Sequence, residues 1–195
     1  MSLDHHTPRR RRPMKGLFGR LLGRRDGATS IELALLSLPF FAIVFASLET
    51  FVAFTGEQLL ANATEAMGRK IRTGEIRLSM TEADFRKQFC AEIAILMPCS
   101  AQEITTPNKL FLDVQSYAKF SDIPKAIPLN GKDLNTASFK FAPGGKRSIN
   151  IIRAYYRWDV VTDLVRPYVS NIRSADGSRQ NYLMVATTVV QNEDF

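Results

Sequence analysis

Histidine is nearly missing from this chain: His5 and His6 stand together near its start, and none follows. No nucleophile–base pair built on imidazole can therefore be assembled over the remaining length. The serines and carboxylates that remain are those of any domain. Cysteine is as scarce, with only Cys90 and Cys99 and neither a C-x-x-C pair nor a Cys/His cluster. A metal site of ordinary ligand type is thereby excluded. The one glycine-rich stretch, Pro143-Gly144-Gly145, lacks the lysine–hydroxyl ending of a phosphate cradle. The expectation is a non-enzyme with no cofactor, no metal and no small-molecule substrate.

Positive charge is abundant, but only locally. Of the net +7, residues 1–27 hold eight Arg/Lys against two Asp, and the rest of the chain is close to neutral. Without aromatic interleaving or a basic helix face, this does not read as a nucleic-acid arm. Arginines just ahead of an apolar span are what a cytoplasmic flank carries. Such a span follows. Leu33–Leu48 is a charge-free run of 16 residues, and continuing to Gly56 gives 24 residues with Glu49 as their one ionisable side chain. About 20 residues of helix cross a hydrocarbon core. The run is too long for the apolar part of a secretory signal, and no small-x-small cleavage site follows promptly.

The reading is a basic cytoplasmic leader (1–27), a transmembrane helix (28–56) and an outer α+β domain (57–195). Pro39 lies inside the helix, where a missing donor and a clash predict a kink. Either this is a proline that a membrane helix tolerates, or it lets the anchor bend. The helix is expected to continue outward, because Leu59, Ala63, Ala66, Met67 and Ile71 recur at helical spacing and Gly74 is a plausible cap. One helix from about Ser30 to Thr73 would be roughly 65 Å long.

At the head of the span, Arg24-Arg25-Asp26-Gly27-Ala28-Thr29-Ser30-Ile31-Glu32 places a glycine after basic residues and a lone carboxylate five positions on. A charge at the edge of a membrane helix costs roughly 2.5 kcal/mol or more and asks for a reason. The motif resembles the processing site of type IV prepilins and pseudopilins. With Leu38-Pro39-Phe40-Phe41, Leu48-Glu49, Arg69-Lys70-Ile71-Arg72-Thr73-Gly74, the cysteines after Phe85-Arg86-Lys87-Gln88-Phe89, Phe141-Ala142-Pro143-Gly144-Gly145 and Tyr155-Tyr156-Arg157-Trp158, the chain is similar to TadE-like pseudopilins of tight-adherence (Tad) pilus systems. The resemblance covers roughly residues 24 to 160. Residue 33 departs from it, being Leu where many members and the related Flp pilins have an aromatic.

The resemblance implies a single-pass protein of the bacterial inner membrane, N-terminus cytoplasmic and C-terminal domain periplasmic, either staying at the base or entering the pilus. A prepilin peptidase would cut between Gly27 and Ala28. Glu32, then the fifth mature residue, would pair with the new amino group of a neighbouring pilin or pseudopilin. The Tad assembly machinery would be the wider partner. The competing reading is an uncleaved single-pass envelope protein whose periplasmic domain binds a partner.

In the outer domain, Thr81 followed by Asp84 reads as a helix start. Phe85, Phe89, Ile93 and Met97 form its stripe, widened by Ile95 and Leu96 and ended by Pro98. In an oxidising compartment Cys90 and Cys99 can form a disulfide, the alternative being two buried thiols. Leu110–Tyr117, Ile149–Trp158 and Tyr182–Val190 read as strands of a three- to four-stranded antiparallel sheet whose apolar face buries the outer helix. Tyr156 and Trp158 would be core. Tyr155, facing the other way, is a candidate subunit contact, and Lys146-Arg147, Arg153 and Arg157 read as solvated edges.

Overall fold

A computed structural model describes residues 26–77, 79–174, 177 and 179–194, and side chains from Thr29 onward. Most of the basic leader lies outside that set, as do the side chains of Gly27 and Ala28. The chain forms two compact units, Met1–Val44 and Phe45–Phe195.

Helix α1 (Asp26–Arg72) supplies everything described of the first unit. It stays helical through Pro39, which offers no N–H to the carbonyl of Leu35. Side chains on every side are solvent-exposed there: Ile31, Leu33, Leu35, Leu36, Leu38, Phe40, Phe41 and Ile43 are 52–72 % exposed. The Ser37 hydroxyl donates back to the Ala34 carbonyl at 2.9 Å, so this polar group is satisfied within the helix. By length and composition α1 is the one helix among the described residues suited to cross a membrane.

The second unit contains the outer part of α1, whose buried positions step by threes and fours: Glu49, Ala53, Gly56, Leu60, Ala63, Met67 and Ile71. The stripe is centred on Leu60 rather than on Leu59. Gly74, at φ +76°, ends the helix in the left-handed region, its N–H donating to the Ile71 carbonyl at 3.1 Å.

Helix α2 (Glu82–Ile93) begins at Thr81, whose hydroxyl oxygen accepts from the Asp84 N–H at 3.1 Å. The Asp84 carboxylate answers by accepting from the same hydroxyl at 2.7 Å. Phe85, Phe89, Ile93 and Met97 are all buried as the spacing implies. The helix, however, ends at Ile93 and not at Pro98. The Ile93 carbonyl accepts from both Leu96 and Met97, tightening the chain into a turn that leaves Ile95 90 % exposed. A short helix α3 (Ala101–Thr105) follows.

The sheet is five-stranded and mixed, where a three- to four-stranded antiparallel one was expected. Its strands are β1 (Leu110–Tyr117), β4 (Phe141–Ala142), β5 (Ile149–Trp158), β6 (Ile172–Arg173) and β7 (Gln180–Gln191), in the order β4-β1-β5-β7-β6. The added edges come from two-residue strands; β4 runs parallel to β1, Val114 opposite Phe141. Between β1 and β4, β2 (Leu129–Asn130) and β3 (Asp133–Leu134) form a small hairpin turning at Gly131. A helix α4 (Arg166–Val169) lies between β5 and β6.

Register explains how α1 sits on the sheet. Across β1, β5 and β7 the rows are Leu110–Tyr156–Met184, Leu112–Ala154–Ala186 and Val114–Ile152–Thr188. The middle row is small, and against the two outer rows the helix places glycines: a Cβ at Gly68 would lie 2.8 Å from Thr188 Cγ2, and one at Gly56 3.1 Å from Met184 Cε. This interface, together with α2, is the main core. The other sheet face carries a second cluster of Leu134, Tyr155, Ile172 and Leu183.

Candidate functional site: the long apolar helix and its acidic side chains

Glu32 sits on α1 between Ile31 and Leu33 and is exposed, as they are. It is a carboxylate on an otherwise apolar rod. The backbone of Gly27 and Ala28 is helical, continuous with the rest of α1.

The second acid of the span behaves differently. Glu49 is 8 % exposed and faces the outer domain. Its Oε1 accepts from the Val161 N–H at 3.2 Å, while Oε2 accepts from the Thr162 N–H and hydroxyl, each at 3.2 Å. Those donors belong to the loop leaving β5. The loop turns over on itself: the Val165 and Arg166 amides donate to the Thr162 carbonyl at 3.0 Å. Arg166 reaches back to the Val160 carbonyl at 2.9 Å and pairs with Asp163 at 2.8 Å. One carboxylate thus ties the start of a folded loop to the helix. The sequence marks Glu49 as the lone charge of the run but gives no sign of a partner more than a hundred residues away.

Two further contacts join α1 to β7 and to the residues just after it. Glu57 Oε1 accepts from the Tyr182 hydroxyl at 2.6 Å, and Arg72 Nε donates to Glu193 at 3.1 Å. The bond to Glu57, together with partial burial, pushes the Tyr182 phenol up to about 12.

Cys90 and Cys99 are joined in a disulfide with Cα atoms 5.7 Å apart. It ties α2 to the segment after Pro98, which leads into α3. There Glu103 Oε1 accepts from three successive amides, Asn108, Lys109 and Leu110, at 2.8–2.9 Å. That single oxygen sets the entry of β1. Beside it lies an open hollow of about 460 Å³, lined by Leu96, Cys99, Lys109, Trp158, Asp159 and Val161 among others. Its polar wall is an ion pair, Lys109 Nζ to Asp159 Oδ2 at 2.6 Å. That hydrogen bond raises the Lys109 ammonium, against its desolvation. Burial works to raise Asp159, but Lys109, Asn181 and Arg179 outweigh it and hold the carboxyl below its ordinary value. Opposite charges paired in this way stabilise each other and leave neither free as an acid or base.

Tyr155 points to the sheet face opposite Tyr156, as alternation requires. That face is not bare: Phe139 stacks on the Tyr155 ring at 5.0 Å, and the residue is 1 % exposed. Tyr155 is therefore core and not a subunit contact. Arg153 and Arg157 are also not solvated edges. Arg153 is buried and donates to the Pro124 carbonyl, while Arg157 pairs with Asp133 at 2.8 Å and lies over the Phe111 ring. Arg147 and Lys146 are exposed and face Asp194. The Pro143-Gly144-Gly145 turn is clamped by Asn150 and Asn192, whose amides and carbonyls meet the Gly144 and Gly145 backbone. No group of three metal-ligating side chains occurs among the described residues.

No family model, no curated protein and no solved structure matches the chain.

Proposed function

We propose that this chain is a membrane-anchored assembly subunit of the pseudopilin type, acting by lateral packing of helices and not by catalysis. The observation that carries the proposal is the apolar, all-round solvent exposure of α1 over 31–43 with Glu32 at its head. A helix apolar on every side needs lipid or other helices around it. A carboxylate there, with no partner among the described residues, needs a cation. In this reading a prepilin peptidase cuts after Gly27 in the bacterial inner membrane. The Ala28 ammonium of one subunit then meets Glu32 of the next, fixing their axial register. The outer domain projects into the periplasm, where the disulfide is maintained. Pilus initiation or anchoring by Tad-type machinery is the task such a subunit would serve.

A second reading, an uncleaved single-pass envelope protein, is favoured by one observation: α1 runs unbroken through Gly27 and Ala28. A peptide held in a helix must unwind before a peptidase can grip it. Intact mass of protein extracted from membranes of a host with an active prepilin peptidase separates the two. A chain beginning at Ala28 supports the pseudopilin; one keeping its arginine-rich start refutes it.

A further inference from the structure

The loop that Glu49 holds is itself unusual. Val160 is buried, but Val161 is 79 %, Leu164 67 % and Tyr168 87 % exposed. Leu164 and Tyr168 are four apart along a segment closed by helical turns, Thr162 to Arg166 and Val165 to Val169, and Val161 stands in the bend just before it. Leu164 and Tyr168 therefore share an apolar stripe on a small folded knuckle to which Val161 leads, with Arg166 turned away to the Val160 carbonyl. Isolated exposed apolar residues are ordinary, but three so close together call for a partner.

We propose that this knuckle is a second membrane contact: Val161, Leu164 and Tyr168 sit in the outer headgroup–acyl boundary of the bilayer that α1 spans. The inference rests on the membrane reading of α1. Its own ground is position. The charge-free run before Glu49 is 16 residues, about 24 Å of helix at 1.5 Å per residue, against a hydrocarbon core of about 30 Å. Counted from Leu33, Glu49 falls about one helical turn inside the far edge of the apolar layer, and the backbone of Val161 and Thr162 is hydrogen-bonded to it. Phe45, Leu48, Phe51 and Phe54 of α1, all close in sequence to Glu49, are also exposed. Tyrosine is a residue of that interface, apolar in body and polar at the tip. The arrangement also accounts for Glu49: an acid at this depth is stabilised by loop amides that the same contact brings to it.

Depth-dependent quenching tests this on the full chain in phosphatidylcholine–phosphatidylglycerol vesicles with brominated acyl chains. In a Trp158→Phe background, single tryptophans are placed by Leu164→Trp, by Phe41→Trp in the span, and by Phe120→Trp at the opposite end of the sheet. Side chains riding 5–10 Å into the boundary should lose emission roughly twofold for Leu164→Trp, with none lost for Phe120→Trp. If Trp158→Phe fails to fold, the added quenching of Leu164→Trp over the unaltered chain reads the same quantity. Quenching at Phe41→Trp without quenching at Leu164→Trp overturns the knuckle alone. No quenching at Phe41→Trp overturns the membrane reading beneath it. Emission at Leu164→Trp that shifts blue only as protein-to-lipid ratio rises, unquenched by bromine, assigns the stripe to a second subunit and likewise overturns the proposal.

Discussion

Replacing Glu49 by alanine removes the acceptor of two backbone amides and one hydroxyl while leaving the apolar packing of the helix around it intact. Hydrogen bonds to a charged group contribute about 1.5–3 kcal/mol each when well formed. These three are long, 3.2 Å apiece, and share one carboxylate. They will not add, so about 3 kcal/mol for the set is a reasonable sum. The loss falls on local opening of the loop and not on global unfolding, because Arg166 and the sheet ladder are untouched. A change of about 3 kcal/mol is on the order of 100-fold in the opening equilibrium. Hydrogen exchange of the full chain in micelles should therefore show the Val161 and Thr162 amides exchanging about 100-fold faster in Glu49→Ala, with the Ile152 amide in β5 unchanged. Glu49→Gln, which keeps one acceptor, should fall between. Exchange at 161 and 162 within roughly threefold of the parent would mean that the loop is held by something else, and the magnitude above would be wrong.

Four further outcomes follow from the same structure. Glu32→Gln should insert normally but lose cross-linked subunit pairs in membranes; unchanged pairing would sink the register mechanism. Opening the disulfide by Cys99→Ser releases a constraint on a short loop of sequence separation 9, worth about 2.5 kcal/mol in the chain-entropy account, read as a lowered denaturant midpoint. Gly68→Ala gains helix propensity of about 1 kcal/mol but drives a methyl to 2.8 Å from the stiff Thr188 Cγ2. A net loss of about 1 kcal/mol is expected, restored by adding Thr188→Ser, which deletes that methyl. The raised Tyr182 phenol gives stability that is complete below the unfolded value near 10 and lost as pH climbs through about 12. Alkaline unfolding between those limits should be shallower in Tyr182→Phe.

Strands β1 and β5 were legible to the residue because alternation in Leu110–Tyr117 and β-branched density in Ile149–Trp158 are signals of the strands themselves. The cap at Thr81 and the stripe from Phe85 to Met97 were legible for the same local reason. The end of α2 was not, since proline is a weaker stop than a carbonyl already claimed by two amides in a turn. Strands of two residues have no period to read, so β4 and β6, and with them the mixed topology, were invisible. Tyr155 shows the limit of alternation: it told which face, but whether that face is covered depended on the irregular 118–148 connection folding Leu134 and Phe139 over it. Glu49 is similar, a visible oddity whose meaning lay in a distant loop.

The twin ties of α1, one to Tyr182 in β7 and one to Glu193 just beyond it, bear on tension. Traction along the anchor would enter the domain through the seam between rod and sheet. There it meets β7, which is bonded along its length to β5 from Ile149 opposite Gln191 to Trp158 opposite Tyr182. Strands loaded lengthwise slide against every rung together instead of parting one at a time.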